Sequence, residues 1–399
     1  MKIAGIVAEY NPFHTGHAYQ IAQTRAQIGE DCAVMAVMSG NWVQQADCAI
    51  ADKWARARLA LMGGVDLVVE LPTVWAASTA ESFARGAVGI LDACGVADVL
   101  SFGSECGDVG GLKLAAQCLD SVQYQERVRE LIKEGMTFAA CRQQAVEELL
   151  GAELGGLLSK PNNNLGVEYI RALNALGSSI EPMTVLRQGA DHNTTGQTAA
   201  FVSATQIRME VAENNWARAE PYLMEDGRAV LEGHTVSPCG LEQVSRAILA
   251  RLRAMTAEDW QKLPDCGVAE GLPQRLERAG KSCTGLEDFF QQAKTKRYTH
   301  ARLSRLVLWA FLGLNAADVP AQPPYIRVLG FNEQGRAVLR EIKANTCLPI
   351  VTKPAHARDL GTEGRKLFEL EARCTDLYDL CFETVPVPGR EWTNGPIIL

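Results

Sequence analysis

Two histidines, separated by a threonine and a glycine in His14-Thr15-Gly16-His17, lie near the start of a 399-residue chain. The residues before them read as a strand and those after as a helix, so the pair falls at a strand-to-helix crossing. There the unpaired backbone N–H groups and the helix dipole already favour an anion, and two imidazoles add donors to it. Gly16 has no Cβ, which predicts room for a large planar group close to the backbone. Far along the chain, Ser203-Ala204-Thr205-Gln206-Ile207-Arg208 heads another helical stretch. Hydroxyls and a guanidinium at a helix N-terminus make a phosphate cradle, with Ser203, Thr205 and Arg208 as its candidates. Each motif has a plain alternative, surface histidines in one case and a capping segment with a solvent arginine in the other. Together they form two half-sites.

The elements that must position these residues follow a regular alternation. Ile3 to Ala8 is an apolar run suited to a strand buried on both faces, and Asn11-Pro12 signals a turn. Asp31 to Met38 reads as a second strand, Asp52 to Met62 as an Asp-capped helix ending at Gly63-Gly64, and Asp66 to Leu71 as a third strand. Glu81 to Cys94 is helical, Val99-Leu100 a short strand, and Ser101 to Glu105 a loop. Helical periodicity runs from Gly107 to Leu158, breaks at Lys160-Pro161-Asn162-Asn163-Asn164, and resumes before a last strand at Met183 to Leu186. This order predicts an α/β fold with a doubly wound parallel sheet, its ligand loops gathered beyond the carboxyl ends of the strands. Beyond Arg208 the chain turns helical, with breaks near Ser237-Pro238 and Leu263-Pro264. Tyr325 to Phe331 and Leu348 to Val351 then predict a small C-terminal α/β element. The expected divisions are 1–212, 213–318 and 319–399.

Composition narrows the function classes. A hydrophobic content of 47% and a charged content of 22% are those of a globular protein, and the net charge of −8 gives no global attraction to nucleic acid. Any polyanion must therefore meet a local patch. Residues 289 to 305 provide one, with Lys294, Lys296, Arg297, Arg302 and Arg305 free of acids and with Tyr298 and His300 among them. The twelve cysteines contain no C-x-x-C and do not cluster with the six histidines, which predicts reduced core thiols such as Cys32, Cys94 and Cys118 and no metal site. The chain enters its first strand without a visible leader, and no apolar run is long enough to span a membrane. The expected compartment is the cytoplasm.

The H-x-G-H arrangement resembles the signature of the nucleotidylyltransferase superfamily, which implies that both histidines face nucleotide phosphates during attack at the α-phosphorus. Donors fixed before reaction stabilise the charge that builds there. A Ser/Thr-rich segment ending in Ile-Arg, as at Ser203 to Arg208, is similar to the one that grips the β and γ phosphates there. The blocks G-I-V-A-E-Y-N-P-F-H-T-G-H, M-S-G-N-W-V-Q, D-K-W-A-R-A, D-L-V-V-E-L-P, S-F-G-S-E, P-N-N-N-L-G-V-E-Y, K-T-K-R-Y-T-H-A-R and Y-I-R-V-L-G-F-N, in this order to about residue 355, resemble the bacterial tRNA(Met) cytidine acetate ligase family. That resemblance implies an ATP-dependent ligase with acetate and elongator tRNA(Met) as its other partners. Acetate is activated as acetyl-adenylate with release of pyrophosphate, and the acetyl group passes to N4 of the wobble cytidine. ATP is the nucleotide substrate, with Mg2+, and no tightly bound metal is expected.

Carried over by position, the ATP loop comprises Val7, Ala8, Glu9, Tyr10, Asn11, Pro12, Phe13, His14, Thr15, Gly16, His17, Ala18, Tyr19 and Gln20, with His14 and His17 catalytic and Gly103, Asn162 and Arg187 as further contacts. The chain departs from the family pattern at Thr15, where Asn is common, at Gln45-Ala46, where Arg-Gly is common, and at Asn193, where Asp is. Two other readings use the same residues: a nucleotidylyltransferase making a nucleotide cofactor, and a non-catalytic RNA-binding protein that senses a nucleotide. The basic stretch separates the two steps of the ligase. Lys296→Ala with Arg297→Ala is expected to flatten the slope of log tRNA affinity against log salt by roughly one unit per lost phosphate contact. Acetyl-adenylate should still form at close to the normal rate. Normal tRNA binding by the double variant would return the stretch to a solvated helix face.

Overall fold

Strand β1 (Ile3–Ala8) lies at the centre of the sheet, which is why its residues are small or apolar. The others are β2 (Ala33–Ser39), β3 (Trp42–Val43), β4 (Asp47–Cys48), β5 (Leu67–Leu71), β6 (Val99–Ser104), β7 (Glu181–Leu186), β8 (Ile326–Phe331), β9 (Ile350–Val351) and β10 (Ile397–Ile398). The computed structural model describes residues 1–134, 136–188, 201–236, 240–267, 271–295 and 297–399, so Lys296, the segment 189–193 with Asn193, and the expected break at Ser237-Pro238 lie outside the described residues.

Among the described residues, one eight-stranded sheet has the order β10-β8-β5-β2-β1-β6-β7, with β9 beside β8. Its core, β5-β2-β1-β6-β7, is parallel throughout. The chain winds outward from β1 through β2 and β5, then returns to β6 and β7 on the other side. The order reverses between β1 and β6, and open α/β sheets bind their ligands in the crevice beyond the carboxyl ends of the strands at such a switch point. The expected α/β fold is present.

Two details differ from the expectation. The loop expected at Ser101 to Glu105 is mostly strand, because β6 is held on both sides and pairs with β7 from Val99 through Ser104. Its polar side chains find partners within the sheet layer: Ser101 Oγ lies 2.7 Å from Thr24 Oγ1, and Ser104 Oγ lies 2.6 Å from Thr184 Oγ1. The C-terminal strands also do not form an element of their own. β8 pairs antiparallel with β5, and β10 pairs parallel with β8. The outer edge of β5 would otherwise present unpaired backbone groups, and β8 covers it with a run buried at its first five positions.

Helices fill both faces, and many of them start at a side-chain cap. Asp52 accepts from the Ala55 amide, Thr79 from Ser82, and Ser203 from Gln206. No helix among the described residues is long and apolar enough to cross a membrane. Among the described cysteines all are free thiols; Cys32, Cys94 and Cys118 are buried, whereas Cys347 is exposed.

The C-terminal segment is joined to the sheet by buried charge. Lys53 Nζ lies 2.6 Å from both Glu70 Oε1 and Glu391 Oε2, and Arg327 Nη2 lies 3.1 Å from Glu391 Oε1. Glu371 completes the group but bonds to Thr73, accepting from its amide at 2.7 Å and from its hydroxyl at 2.8 Å. Burial, and next the neighbouring Glu70 carboxylate, push Glu371 up to about 8. An acid whose folded-state pKa is raised stabilises the fold most below the ordinary carboxylate value, and that contribution is lost as pH rises through about 8. Glu371→Gln keeps both partners, because the amide oxygen accepts from the Thr73 amide while the NH2 donates to its hydroxyl. The variant is expected to match the parent in thermal stability at acidic pH and to exceed it above the Glu371 pKa. An unchanged difference across the pH range would show that folding leaves the Glu371 carboxyl at its ordinary pKa.

Candidate active site

The loop after β1 is held by buried polar groups on every side. Asn11 Oδ1 accepts from the Ile50 amide at 2.7 Å, and Asn11 O accepts from Arg208 Nη1 at 2.8 Å. Phe13 is fully buried against Tyr10, with ring centroids 4.8 Å apart. Beneath the loop lies Arg56, with no exposed surface. Its guanidinium donates to Glu9 O at 2.6 Å, to Ser39 O at 3.1 Å, to Ala51 O at 2.9 Å and to Gly40 O. Five donors in a rigid fork meet the carbonyls of the loops that follow β1 and β2.

His14 and His17 close the start of the helix Thr15–Ile28 as a reciprocal cap. His14 Nδ1 accepts from the Gly16 amide at 3.0 Å, and His17 Nδ1 accepts from the His14 amide at 3.2 Å. The rings face each other at 3.9 Å between centroids. A neutral imidazole whose Nδ1 accepts must carry its proton on Nε2, so each ring has one donor left for a ligand. Both rings are held neutral. Burial, then the charge of Arg187, lower His14 to about 4. Burial, His14 and Arg187 together hold His17 well below the usual histidine range. Gly16 is also required by the cap itself. A Cβ there would lie 2.8 Å from His14 Cε1, so the glycine makes room for the capping imidazole.

The other loop residues divide by role. Val7 and Ala8 end β1 opposite Val37 and Met38. Glu9 Oε1 accepts from the Gln44 amide at 2.8 Å, and burial raises its carboxyl while that bond and the nearby Arg208 lower it. Thr15 Oγ1 is buried without a partner. Tyr19 packs on Phe201 at 5.2 Å, and Gln20 donates to Ser101 O at 3.3 Å, so both tie the helix to its surroundings. Ala46 has φ 62, a left-handed conformation costing about 1 kcal/mol for any residue with a Cβ. The glycine that the family resemblance leads one to expect there would avoid that cost.

Gly103, Asn162 and Arg187 come together across the crevice. A Cβ on Gly103 would meet Arg187 Cγ at 3.2 Å, so the glycine lets the arginine lie over β6. Arg187 Nη1 is 3.5 Å from Asn162 Oδ1. From the other half-site, Arg208 reaches Asn11 O and, at 3.1 Å, Thr205 Oγ1, while the Ser203 hydroxyl caps its helix. Arg208 thus bridges the two motifs directly. Arg56 and Glu105, which holds Asn162, were not singled out by the sequence; the only sign was their place within the D-K-W-A-R-A and S-F-G-S-E blocks.

The basic stretch is less open than its sequence implies. Lys294 and Arg297 are exposed, whereas Arg302 and Arg305 are half-buried. Arg302 Nε donates to Asp265 O at 2.8 Å, and Arg305 Nη2 lies 3.5 Å from Asp265 Oδ2. An acid thirty or more residues away in sequence supplies the balancing charge. Tyr298 is only 6% exposed, which leaves it unavailable for stacking on a base, and His300 packs at a tilt against Phe290, with centroids 4.6 Å apart.

The chain matches the family described as HIGH Nucleotidyl Transferase over residues 1–389. It is 36% identical over the full length of both chains to the tRNA(Met) cytidine acetate ligase of Thermoanaerobacter sp. (strain X514), and 38% identical, again over both full lengths, to that of Caldanaerobacter subterraneus subsp. tengcongensis. Its structure is similar to that of Thermotoga maritima TmcAL in the apo form, with a TM-score of 0.92 and 34% identity over all of both chains. The same protein bound with alpha-thio ATP gives a TM-score of 0.89 over the same coverage.

The reciprocal cap makes a direct prediction. Nitrogen-15 NMR of the ligand-free protein at pH 6 should show His14 neutral, with Nδ1 bare and Nε2 protonated, because its pKa lies near 4. His17→Ala should lower nucleotide turnover on the order of a hundredfold, the cost of removing one preorganised donor. Doubly protonated His14 at pH 6, or near-parental turnover by His17→Ala, would contradict the assignment.

Proposed function

The chain belongs to the HIGH nucleotidyl transferase family and, within it, to the tRNA(Met) cytidine acetate ligases, and from that premise we propose how its residues carry out the two-step reaction. The enzyme is an ATP-dependent ligase. A carboxylate oxygen of acetate attacks the α-phosphorus of ATP, the bond to the β-phosphate oxygen breaks, and acetyl-adenylate and pyrophosphate result. The N4 amine of the wobble cytidine in elongator tRNA(Met) then attacks the acetyl carbon. It loses a proton as the C–O bond to AMP breaks.

The observation that carries this reading is the pair of histidines whose Nδ1 atoms accept main-chain amides at the start of the helix Thr15–Ile28, with Arg208 anchored to the same loop. Neutral donors take up charge as it develops on the α-phosphate oxygens without holding the ground-state anion too tightly. Arg187 and Arg208 supply the positive charge for the departing pyrophosphate, and Mg2+ arrives with the nucleotide on its phosphates. The ATP chemistry falls in residues 1–212. Residues 213–318 meet the tRNA through Lys294, Lys296, Arg297, Arg302 and Arg305, the exposed Lys294 and Arg297 making the first contact. Residues 319–399 complete the sheet and brace the loops. An enzyme acting on tRNA with ATP works in the cytoplasm, and that is the compartment of this reading.

Pyrophosphate release measured with ATP alone, with acetate added, and with acetate and bulk tRNA tests the reading. The expected result is release that depends on acetate, and acetylated cytidine only when tRNA is present. Release that requires a phosphorylated small molecule in place of acetate would favour the cofactor-forming nucleotidylyltransferase, and ATP binding without turnover would favour a sensor.

A further inference from the structure

The helix Pro161–Leu176 begins without a capping side chain of its own, since Lys160 makes no cap bond. The cap comes from another element. Glu105, at the end of β6, places its carboxylate over the first turn: Oε1 accepts from the Asn162 amide at 3.2 Å, and Oε2 accepts from the Asn163 amide at 2.8 Å. Asn163 returns the contact, its buried Oδ1 accepting from the Glu105 and Cys106 amides at 2.9 and 3.1 Å. The tip of β6 and the start of this helix are thereby locked in both directions.

One further bond goes beyond capping. Asn162 Nδ2 donates to Glu105 Oε1 at 2.7 Å, and a carboxylate can only accept, so the amide has one orientation. Its Oδ1 is turned toward Arg187 Nη1, which can only donate. Arg187 is otherwise exposed at the end of β7, held at its backbone by Ser104 O at 3.0 Å and accommodated by Gly103. We propose that Glu105 is a positioning residue for nucleotide binding: it fixes the Asn162 amide so that its oxygen faces Arg187, keeping the guanidinium directed across the crevice toward His14 and His17. The inference rests on the ligase reading and deepens it. Without the carboxylate the amide can turn over and present its NH2 to Arg187, donor against donor, and the guanidinium swings into solvent. The charge of Arg187 is felt at both histidines, which places it on their side of the crevice.

Steady-state kinetics of acetate-dependent pyrophosphate release tests this with Glu105→Gln, Asn162→Ala and the double variant. In Glu105→Gln the amide NH2 opposes backbone donors, and KM for ATP is expected to rise about tenfold, the effect of losing one charge-assisted hydrogen bond, with kcat at saturating ATP close to the parent's. Asn162→Ala leaves the backbone cap intact, so it folds; it should raise KM for ATP similarly, and Glu105→Gln should then add little in the double variant. A lowered melting temperature in Glu105→Gln with KM unchanged would make the residue a helix cap only and overturn the proposal. So would a rise in KM that persists in full on the Asn162→Ala background. If Glu105→Gln does not fold, Asn162→Ala decides alone, since an unchanged KM for ATP there overturns the proposal. Failure of the ligase reading has a different signature, absence of acetate-dependent release from the unsubstituted protein.

Discussion

The buried guanidinium of Arg56 is the interaction on which the site depends. A fully buried cation is tolerated only when its donors are satisfied, and here they are satisfied by main-chain carbonyls of Glu9, Ser39, Gly40 and Ala51. Loops from two adjacent parallel strands diverge unless something holds them, because their own ladder hydrogen bonds have ended. Arg56 continues the ladder by other means. Removing it would leave several carbonyls and their desolvated surroundings without partners, a loss of about 3–5 kcal/mol by comparison with other broken buried pairs. The histidine-bearing loop, which continues directly from Glu9, inherits its position from this contact.

The second loop is braced from behind by the end of the chain. Trp42 Nε1 donates to Cys374 O at 2.9 Å, Asn41 Nδ2 to Thr375 Oγ1 at 3.2 Å, and the Tyr378 hydroxyl to Ala49 O at 3.0 Å. All three partners lie on the helix Thr362–Asp379. Gly40 is pressed between this brace and the sheet, since a Cβ there would come within 2.7 Å of Glu70 Oε1. The C-terminal segment therefore braces the loop after β2 from behind. The division of charge follows the same logic: inside, cations are consumed by structure, while Arg187 at the end of β7 stays exposed.

Much of the architecture was legible because it is local. The apolar run of β1, the turn at Asn11-Pro12 and the caps at Asp52 and Ser203 each depend on residues a few positions apart. What was not legible is long-range. In the helix Lys53–Met62, Arg56 and Arg58 are two residues apart and chemically identical, yet Arg58 is exposed and Arg56 is buried. Only the arrival of the β1 and β2 loops decides between them. Likewise nothing near Tyr325 to Phe331 reveals that the free edge of β5 awaits it. Glu105 reads as one acid in a loop until the helix starting at Pro161 is brought over it, and Asp265 gives no sign in sequence that it will balance Arg305. Gly16 was correctly marked as needing to be small, but the group it admits is the protein's own imidazole.

The central claim is that this constellation directs a carboxylate oxygen of acetate onto the α-phosphorus of ATP. Its most direct test is a single isotopic experiment, with acetate labelled by oxygen-18 in both carboxylate positions, unlabelled ATP and elongator tRNA(Met), and mass analysis of the nucleotide product. If acetyl-adenylate forms and the cytidine amine attacks its acyl carbon, the C–O bond to the acyl group breaks and one labelled oxygen remains in the phosphate of AMP. AMP without label, or label appearing instead in inorganic phosphate alongside ADP, would contradict it.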